Sequence, residues 1–397
     1  MWDAVIVGAR CAGASAALLL ARRGQRVLLV DRATFPSDTM STLYIHQPGI
    51  ELLDRWGVLA PVIASGCPRL DSIKSIVQDV ELRGPVAAYG NVTANYAPRR
   101  YILDQLLIEA AVAAGAEFAE GVSLSEVLWE DGRVAGVRLR AKDGGEICER
   151  TGLVIGADGM RSRLAELVGA PYLIEDPSVS CVYYTGWTGM SCGFETRVRS
   201  GSSAMAAVPT NDGVTILITY FPQDSFRAIK LNPRKAHLGC IRELAPELFE
   251  ELSAGEQAIR LQGTGDQRNF FRQAHGPGWV LTGDAGLHLD SITAQGITHA
   301  FVQADLLSES LGDDLQDAER VDGALCGFAT QTRSMLADEY SRTLEAASLH
   351  VPSSRVEALR EISQVPALTE RYFALIAGLI SVDDFLLPEL TGSLDLK

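Results

Sequence analysis

A stretch near the N-terminus, VIVGARCAGASAALLLARRGQRVLLVDR (residues 5–32), limits the folds open to this chain more than any other feature. The apolar residues from Ala4 to Val7 indicate a buried strand, and the alanine-rich run from Ala14 to Ala21 indicates a helix. A second buried strand, from Arg26 to Val30, follows at once. Strand, helix and strand in this order predict a βαβ unit of a parallel sheet.

The turn between the first strand and the helix carries glycines at the spacing of a nucleotide-binding site. Gly8 forms the tight turn, and Gly13 lets the helix pack closely on the strand. Asp31 lies about twenty residues on, where a carboxylate can bond a ribose hydroxyl. Arg10 stands where the second glycine is usual, and we expect its guanidinium to lie along the phosphates; the alternative is that it points into solvent.

Composition limits the partners and the compartment. The net charge of -15 argues against nucleic acid or an anionic membrane surface as a partner. No apolar stretch is long enough to span a bilayer and no signal peptide precedes the first strand, so we expect a soluble cytoplasmic protein. The seven cysteines are scattered without CxxC spacing, which favours reduced thiols and predicts neither disulfides nor a metal site.

The rest of the chain alternates between segments with helical patterns and segments with strand patterns. A strong amphipathic helix follows Arg99, a short strand is expected at 147–149, and a separate apolar strand begins at Leu153. We therefore predict an α/β fold: a Rossmann-like nucleotide-binding domain with a mixed βαβ sheet, an inserted antiparallel β-sheet domain that contains one helical insert near Pro233 to Leu252, and C-terminal helices. The predicted divisions are 1–70, 98–178 and 265–330 for the nucleotide-binding domain, 71–97 and 179–264 for the inserted domain, and 331–397 for the helical segment.

The segment GWVLTGDAGLHLDSITAQGI points to a second, distant part of the same ligand site. It predicts a short strand from Trp279 to Leu281, then Asp284 at the mouth of that strand, and a long helix that begins near Gly296. Asp284 is placed to accept hydrogen bonds from a polyol, and the helix N-terminus can stabilise negative charge on a ring system. A nicotinamide-binding domain has no need of this second site, whereas a flavin does.

Three motifs in order resemble those of the FAD-dependent monooxygenases of the para-hydroxybenzoate hydroxylase superfamily. They are the glycine fingerprint, GADGMRS at residues 156–162 and GDAG at residues 283–286. GARCAG and TAQGI are similar to a branch of this family close to the geranylgeranyl reductases, in which an arginine at the middle glycine is usual. The resemblance implies that FAD is the cofactor.

The resemblance also implies which residues bind FAD. Asp158 lies near the diphosphate, although it also reads as a turn that caps the next helix; Asp284 binds the ribityl chain, and Arg100, or less favourably Arg99, bonds the flavin chain. The complete predicted set is Gly8, Arg10, Cys11, Ala12, Gly13, Asp31, Arg32, Arg100, Asp158, Asp284, Gly296 and Ile297.

Three residues are candidates for roles next to the reacting ring. Tyr44 or His46 is suited to orient a phenolic substrate or to take its proton, and either alternatively fixes a loop. Ser291 stands where many relatives carry proline, and it contributes a hydroxyl or is simply a turn residue. The aromatic residues expected to line the substrate pocket, or else the sheet core, are Tyr183, Tyr184, Trp187 and Phe221.

The resemblance implies a monooxygenase. NADPH or NADH, bound only transiently, reduces FAD, and a flavin hydroperoxide formed with O2 delivers one oxygen atom to an aromatic or polyketide-like small molecule. We expect a monomer or a homodimer. Three alternatives stay open: a halogenase, for which the WxWxIP motif is absent and Lys74 alone is weak support; a prenyl or alkene reductase; and a non-catalytic flavin-binding redox sensor.

Overall fold

A computed structural model describes residues 1–386 of the chain. Its strands are β1 (Trp2–Val7), β2 (Val27–Asp31), β3 (Ser72–Val77), β4 (Val80–Pro85), β5 (Glu117–Glu120), β6 (Val122–Glu130), β7 (Arg133–Ala141), β8 (Glu146–Gly156), β9 (Tyr172–Asp176), β10 (Ser180–Thr188), β11 (Phe194–Arg199), β12 (Ser203–Pro209), β13 (Val214–Pro222), β14 (Gln257–Thr264), β15 (Asn269–Arg272), β16 (His275–Gly276), β17 (Trp279–Leu281) and β18 (Leu287–His288). Its helices are α1 (Cys11–Arg22), α2 (Gln47–Arg55), α3 (Leu59–Ala64), α4 (Arg100–Ala113), α5 (Arg163–Leu167), α6 (Phe226–Ile229), α7 (Pro233–Leu244), α8 (Pro246–Glu251), α9 (Gly296–Leu311), α10 (Ala318–Ala347), α11 (Ser353–Ser363), α12 (Pro366–Ile376) and α13 (Val382–Phe385).

The first sheet confirms the predicted βαβ unit. Its strands lie in the order β16-β17-β8-β1-β2-β5, and the hairpin of β6 and β7 joins it through β8. From β17 to β5 neighbouring strands run parallel, with Ala4 opposite both Val27 and Leu153. Consecutive strands separated by helices thus end at one edge of the sheet, where ligands of such folds bind.

Strand β8 differs from the prediction, because the short strand at 147–149 and the apolar strand that begins at Leu153 are one strand from Glu146 to Gly156. Its exposed first half pairs antiparallel with β7, whereas its buried second half pairs parallel with β1. The change from polar to apolar residues marks a change of neighbour within one strand, which explains why it resembles two strands in the sequence.

Helix α1 is buried between the sheet and two other helices. Its small residues, among them Ala14, Ala16 and Ala17, are fully buried and belong to the same apolar cluster as residues of α4 and α9. Alanine side chains let these helix backbones come close together. This packing fixes the first turn of α1 next to the first turns of α4 and α9.

The two segments predicted for the inserted domain, 71–97 and 179–264, form one seven-stranded sheet in the order β14-β10-β13-β12-β11-β3-β4. All neighbours run antiparallel except β3 and β11, which run parallel. The prediction of an antiparallel sheet is therefore wrong for this pair, where strands from two separate parts of the chain meet. One face of the sheet is covered by α7 and α8, which are two helices and not the single predicted insert because Pro246 begins a new one.

The C-terminal helices pack on the edge of this sheet, with Phe373 of α12 and Leu82 of β4 in one buried cluster. The predicted boundary between 330 and 331 falls inside α10. Residues 387–397 of the predicted helical segment lie outside the described residues. The division into domains stays a prediction.

Candidate cofactor and active site

The turn after β1 leaves the start of α1 open to an anion. The N-cap residue of α1, Arg10, makes no side-chain cap, and the first turn, which begins at Cys11, contains no acidic residue. Its N–H groups and the helix dipole therefore favour a bound anion. The glycines allow close packing here. A Cβ atom on Gly8 would lie 2.4 Å from the carbonyl oxygen of Ala157, and a Cβ atom on Gly13 would lie 1.7 Å from the carbonyl oxygen of Gly8.

The three motifs meet at this helix end. Ala157, which packs against Gly8, belongs to GADGMRS, and a Cβ on Gly283 of GDAG would lie 2.8 Å from the Cβ of Ala12. Helix α9 begins close by at Gly296, again with no side-chain cap and no acidic residue in its first turn. Gly296 is exposed and Ile297 is buried. Two uncapped helix ends thus border one mouth at the edge of the first sheet.

Asp31 is held against the glycine turn. Its Oδ2 atom accepts a hydrogen bond from the N–H of Ala9 at 2.8 Å, and its Oδ1 atom accepts one from the N–H of Ala33 at 2.7 Å. Each carboxylate oxygen keeps a lone pair for a further donor such as a ribose hydroxyl. Arg32, the next residue, is exposed.

The two predicted arginines share one buried carboxylate. Arg10 donates from Nη1 to Oδ2 of Asp104 at 2.6 Å and from Nη2 to the Oγ of Ser37 at 3.1 Å. Arg100 donates from Nε and Nη2 to Oδ1 of Asp104 at 3.1 and 3.0 Å. Burial alone would lower the pKa of Arg100, but the negative charges around it, those of Asp104 and Asp284 included, hold that pKa above its usual value.

The aspartates of the second and third motifs differ in solvent exposure. Oδ2 of Asp158 accepts hydrogen bonds from the N–H groups of Arg163 at 2.6 Å and Leu164 at 3.2 Å, so the residue does stabilise the start of α5. Its Oδ1 atom is buried without a partner among the described residues, and burial raises the pKa of this carboxyl. Asp284 is exposed at the mouth.

Ser291 is bonded to two tyrosines of the seven-stranded sheet. The Tyr184 hydroxyl lies 3.2 Å from the Oγ of Ser291, and the Tyr220 hydroxyl donates to the carbonyl oxygen of Ser291 at 3.0 Å. The Oγ of Ser291 itself donates to Oε1 of Gln267 at 2.6 Å. These bonds attach residues 290–295, which we call the pre-α9 loop, to the face of the sheet that α7 and α8 leave uncovered.

The other end of this network is the buried carboxyl of Asp290. Its Oδ2 atom accepts hydrogen bonds from Ser180 at 2.7 Å and from Nε2 of Gln267 at 3.3 Å, and its Oδ1 atom accepts one from the N–H of Ile292. Burial raises the pKa of Asp290 to about 6, against the opposing effect of these bonds. The pre-α9 loop is thus fixed by its own first residue and by the sheet.

Tyr44 and His46 lie under the same loop and are buried. The Tyr44 hydroxyl accepts a hydrogen bond from Nδ2 of Asn95 at 2.6 Å, and its ring stacks on Phe194 with centroids 4.0 Å apart. Nε2 of His46 lies 3.2 Å from the carbonyl oxygen of Thr293 and therefore carries a proton, and burial lowers the pKa of His46 to about 4. At neutral pH the imidazole is uncharged, and its contact with Thr293 supports the loop.

Only one of the four predicted pocket aromatics faces the pre-α9 loop. Tyr184 does, whereas Tyr183 and Phe221 pack in the cluster beneath α7, and Trp187 packs beneath α7 and α8. Neighbouring residues of a strand point to opposite faces, which separates Tyr183 from Tyr184. Lys74 lies on the helix-covered side too, where its Nζ is 3.2 Å from Oε2 of Glu195.

Two residues of the site, Asp104 and Tyr220, are not predicted from the sequence. Asp104 lies on the buried face of α4 together with Leu103 and Leu107, and a charged residue on an apolar helix face is the signal that would have found it. Tyr220 carries no such signal in a strand with many apolar residues. Arg99, the alternative to Arg100, pairs instead with Asp38.

Two features are absent from residues 1–386: a membrane-spanning helix and a metal-binding cluster. None of the described helices is long and apolar enough to cross a membrane. Nor do three or more His, Cys, Asp or Glu side chains of this part of the chain come together in a way that would hold a metal ion.

Comparison with known proteins gives both a family and similar folds. Residues 1–319 match the FAD binding domain family. Digeranylgeranylglycerophospholipid reductase 1 of Methanopyrus kandleri is 25% identical over 359 residues, which cover 87% of this chain and 88% of that protein. The flavin-dependent brominase Bmp2 has a TM-score of 0.82 at 17% identity, with 98% of this chain and 96% of that chain covered. PqsL, a probable FAD-dependent monooxygenase from Pseudomonas aeruginosa, has a TM-score of 0.77 at 20% identity, with 91% and 99% covered. At these identities the two structures show a shared fold.

Proposed function

This chain belongs to the FAD binding domain family of flavin-dependent oxidoreductases, and from that premise we propose that it is an NAD(P)H-driven monooxygenase that places one oxygen atom from O2 on an aromatic or polyketide-like small molecule. The observation that carries the proposal is the position of the pre-α9 loop, which lies between the uncapped start of α9 and the apolar face of the seven-stranded sheet. When bound, FAD supplies electron transfer from NAD(P)H and the activation of O2.

The residues at the mouth fit FAD. The close approach at Gly8 and Gly13 and the uncapped start of α1 suit a diphosphate, with Arg10 and Arg100 beside it. Asp31 keeps lone pairs for a ribose hydroxyl, and the exposed carboxylate of Asp284 suits the ribityl hydroxyls.

The start of α9 and the carboxyl group of Asp158 also fit FAD. The N–H groups at Gly296 and Ile297 favour negative charge on the ring system. The unpartnered Oδ1 of Asp158 is a further acceptor beside the first helix end.

The face of the seven-stranded sheet opposite α7 and α8 suggests the substrate class. Its buried cluster combines Tyr184 and Tyr220 with aliphatic side chains such as Ile216, and Phe194 packs against it. An apolar surface with a few fixed hydroxyl groups is the usual lining of a site for aromatic molecules. Such a wall also keeps water away from the reacting ring.

In this proposal Tyr44, His46 and Ser291 act next to the ring. Ser291 and the neutral His46 hold the pre-α9 loop at the right distance from the sheet, and Tyr44 forms the wall below it. A loop fixed from both sides keeps the reacting atoms in one arrangement, which is a large part of what a protein contributes to such a reaction.

A prenyl or alkene reductase is the second candidate, favoured by the 25% identity to the Methanopyrus kandleri reductase across most of both chains. A halogenase has less support, because Lys74 is paired with Glu195 on the helix-covered side of the sheet. A non-catalytic redox sensor would bind FAD without substrate-dependent NAD(P)H oxidation.

The experiment that tests the proposal follows the oxygen atom. Purified protein loaded with FAD is given NAD(P)H, 18O2 and a panel of aromatic and polyketide-like compounds in halide-free buffer. We expect at least one product that carries a single 18O atom. Turnover without oxygen that adds two hydrogens to the substrate would support the reductase instead, and a strict requirement for chloride or bromide would support the halogenase.

A further inference from the structure

Asp104 is a fully buried carboxylate that joins two arginines from separate parts of the chain. Its Oδ2 atom accepts from Nη1 of Arg10 at 2.6 Å, and its Oδ1 atom accepts from Nε and Nη2 of Arg100 at 3.1 and 3.0 Å. The thiol of Cys11 adds a weak bond to Oδ1 at 3.4 Å. Burial raises the pKa of that thiol to about 12, so Cys11 acts as a donor.

The position of this cluster connects it with the cofactor site. Arg10 is the N-cap residue of α1, and Arg100 is the first residue of α4. The charge of Asp284, at the mouth, contributes to the raised pKa of Arg100. Asp104 lies one helical turn after Arg100 and accepts hydrogen bonds from both guanidinium groups.

We infer that Asp104 is a positioning residue for the FAD diphosphate, and that it acts by holding the guanidinium groups of Arg10 and Arg100 at the anion-binding end of α1. A guanidinium has five N–H donors in a fixed fork, so a group anchored to Asp104 on one side presents its other donors in a set direction. Asp104 does not touch the cofactor. The inference depends on FAD binding alone and not on the proposed reaction.

Two physical effects predict opposite results when Asp104 loses its charge. The Asp104→Asn substitution makes the site more positive, and simple electrostatics would then strengthen binding of the doubly negative diphosphate. It also leaves Arg100, whose side chain is only 11% exposed, without its charged partner, and it leaves Arg10, whose side chain is 29% exposed, bonded to Ser37 but no longer to a carboxylate. A guanidinium group freed from Asp104 loses conformational entropy when the diphosphate orders it again, and we expect this cost to outweigh the gain in charge.

The first experiment measures the Kd of FAD for the apoprotein by the quenching of flavin fluorescence. We expect Asp104→Asn to weaken FAD binding by roughly 10- to 150-fold, the range for the loss of one charge-assisted bond. ADP, which carries the diphosphate without the flavin, should lose a similar factor. The matched control is Asp305→Asn. Asp305 pairs with Arg55 at 2.6 Å and lies away from the site, so this substitution should leave both Kd values unchanged.

A second experiment separates positioning from a general loss of structure. In a double-mutant cycle with Arg10→Met, Asp104→Asn should weaken FAD binding much less when Arg10 is already absent. If the apoprotein of Asp104→Asn does not stay folded at the assay temperature, Asp104→Glu replaces it, because it keeps the charge and moves the carboxylate by one methylene. Unchanged or tighter FAD binding, or effects of Asp104 and Arg10 that simply add, would overturn the inference.

Discussion

The hydroxyl group of Tyr184 lies 3.2 Å from the Oγ atom of Ser291, across the gap between the seven-stranded sheet and the pre-α9 loop. Tyr220, from the neighbouring strand, makes a second bond to the same residue. A proline fixes a loop through its own ring, whereas this chain fixes the loop through two phenols and one serine.

The substitution Ser291→Pro should therefore fold. The preceding residue, Asp290, already has φ -51° and ψ 139°, which suits a residue before proline, and Ser291 begins a short helical turn, where proline is favoured. We expect a loss of about 1 to 2 kcal/mol in the free energy of unfolding from the missing hydrogen bonds, measured by thermal denaturation. Ser291→Ala, the control, isolates the hydroxyl. A Ser291→Pro protein that fails to fold would show that the loop has another backbone geometry.

Asp284→Ala should lose FAD far more readily than Ser291→Ala. The exposed carboxylate of Asp284 is expected to accept charge-assisted bonds from the ribityl chain, each worth about 1.5 to 3 kcal/mol, so its loss should raise the Kd roughly 10- to 150-fold. The hydroxyl of Ser291 is already used within the protein. Titration of both apoproteins with FAD measures the difference, and equal values would place Asp284 outside the site.

Arg10→Gly should weaken FAD binding although it restores the usual glycine. The substitution removes a guanidinium beside the start of α1 and takes one partner from Asp104. Fewer charges at the diphosphate also mean that added salt weakens binding less steeply. FAD titrations at low and high ionic strength measure both effects. Unchanged or tighter binding would mean that the side chain of Arg10 has no part in holding the cofactor.

Acid should destabilise the fold through buried neutral histidines. His237 lies between the hydroxyls of Thr185 at 2.8 Å and Thr219 at 2.7 Å, and burial lowers its pKa to about 3. An unfolded histidine titrates at about 6.5. Between these values the unfolded chain binds a proton that the folded chain does not. The contribution of His237 to the free energy of unfolding is therefore complete above pH 6.5 and is lost as the pH falls.

The measurement is the melting temperature between pH 7 and pH 5. We expect it to fall on acidification, and to fall less in a His237→Gln variant, whose amide can still bond both threonines. Asp290, with its pKa raised to about 6, acts in the opposite direction, because the folded chain holds its proton more tightly than the unfolded chain. Equal slopes in the two proteins would contradict a role for His237.

The sequence predicts the parts of the site whose geometry is local. The turn at Gly8, the close packing at Gly13 and the position of Asp31 all lie within one βαβ unit, where spacing alone fixes the backbone. The same holds for the start of α9 at Gly296, since a helix that follows a short strand and a loop has few other arrangements.

Contacts between distant parts of the chain are not predictable in this way. Asp104 meets Arg10 across 94 positions, and Ser291 meets Tyr220 across 71, so neither pair leaves a pattern in a short window of sequence. The merging of two predicted strands into β8 has a similar cause, because the second neighbour of the strand lies elsewhere in the chain.

Strand β17 is synthesised long after its neighbour β8, which leaves β8 incompletely paired while the chain is made. The central strand β8 lies between β1 and β17, yet β17 follows β8 by more than a hundred residues. At a synthesis rate of about 5 to 20 residues per second, β8 waits roughly 6 to 25 seconds with one edge unpaired. An apolar strand with an open edge is a site where nascent chains join wrongly. We therefore expect the speed of translation, and protection of the emerging polypeptide, to affect how much active protein a cell obtains.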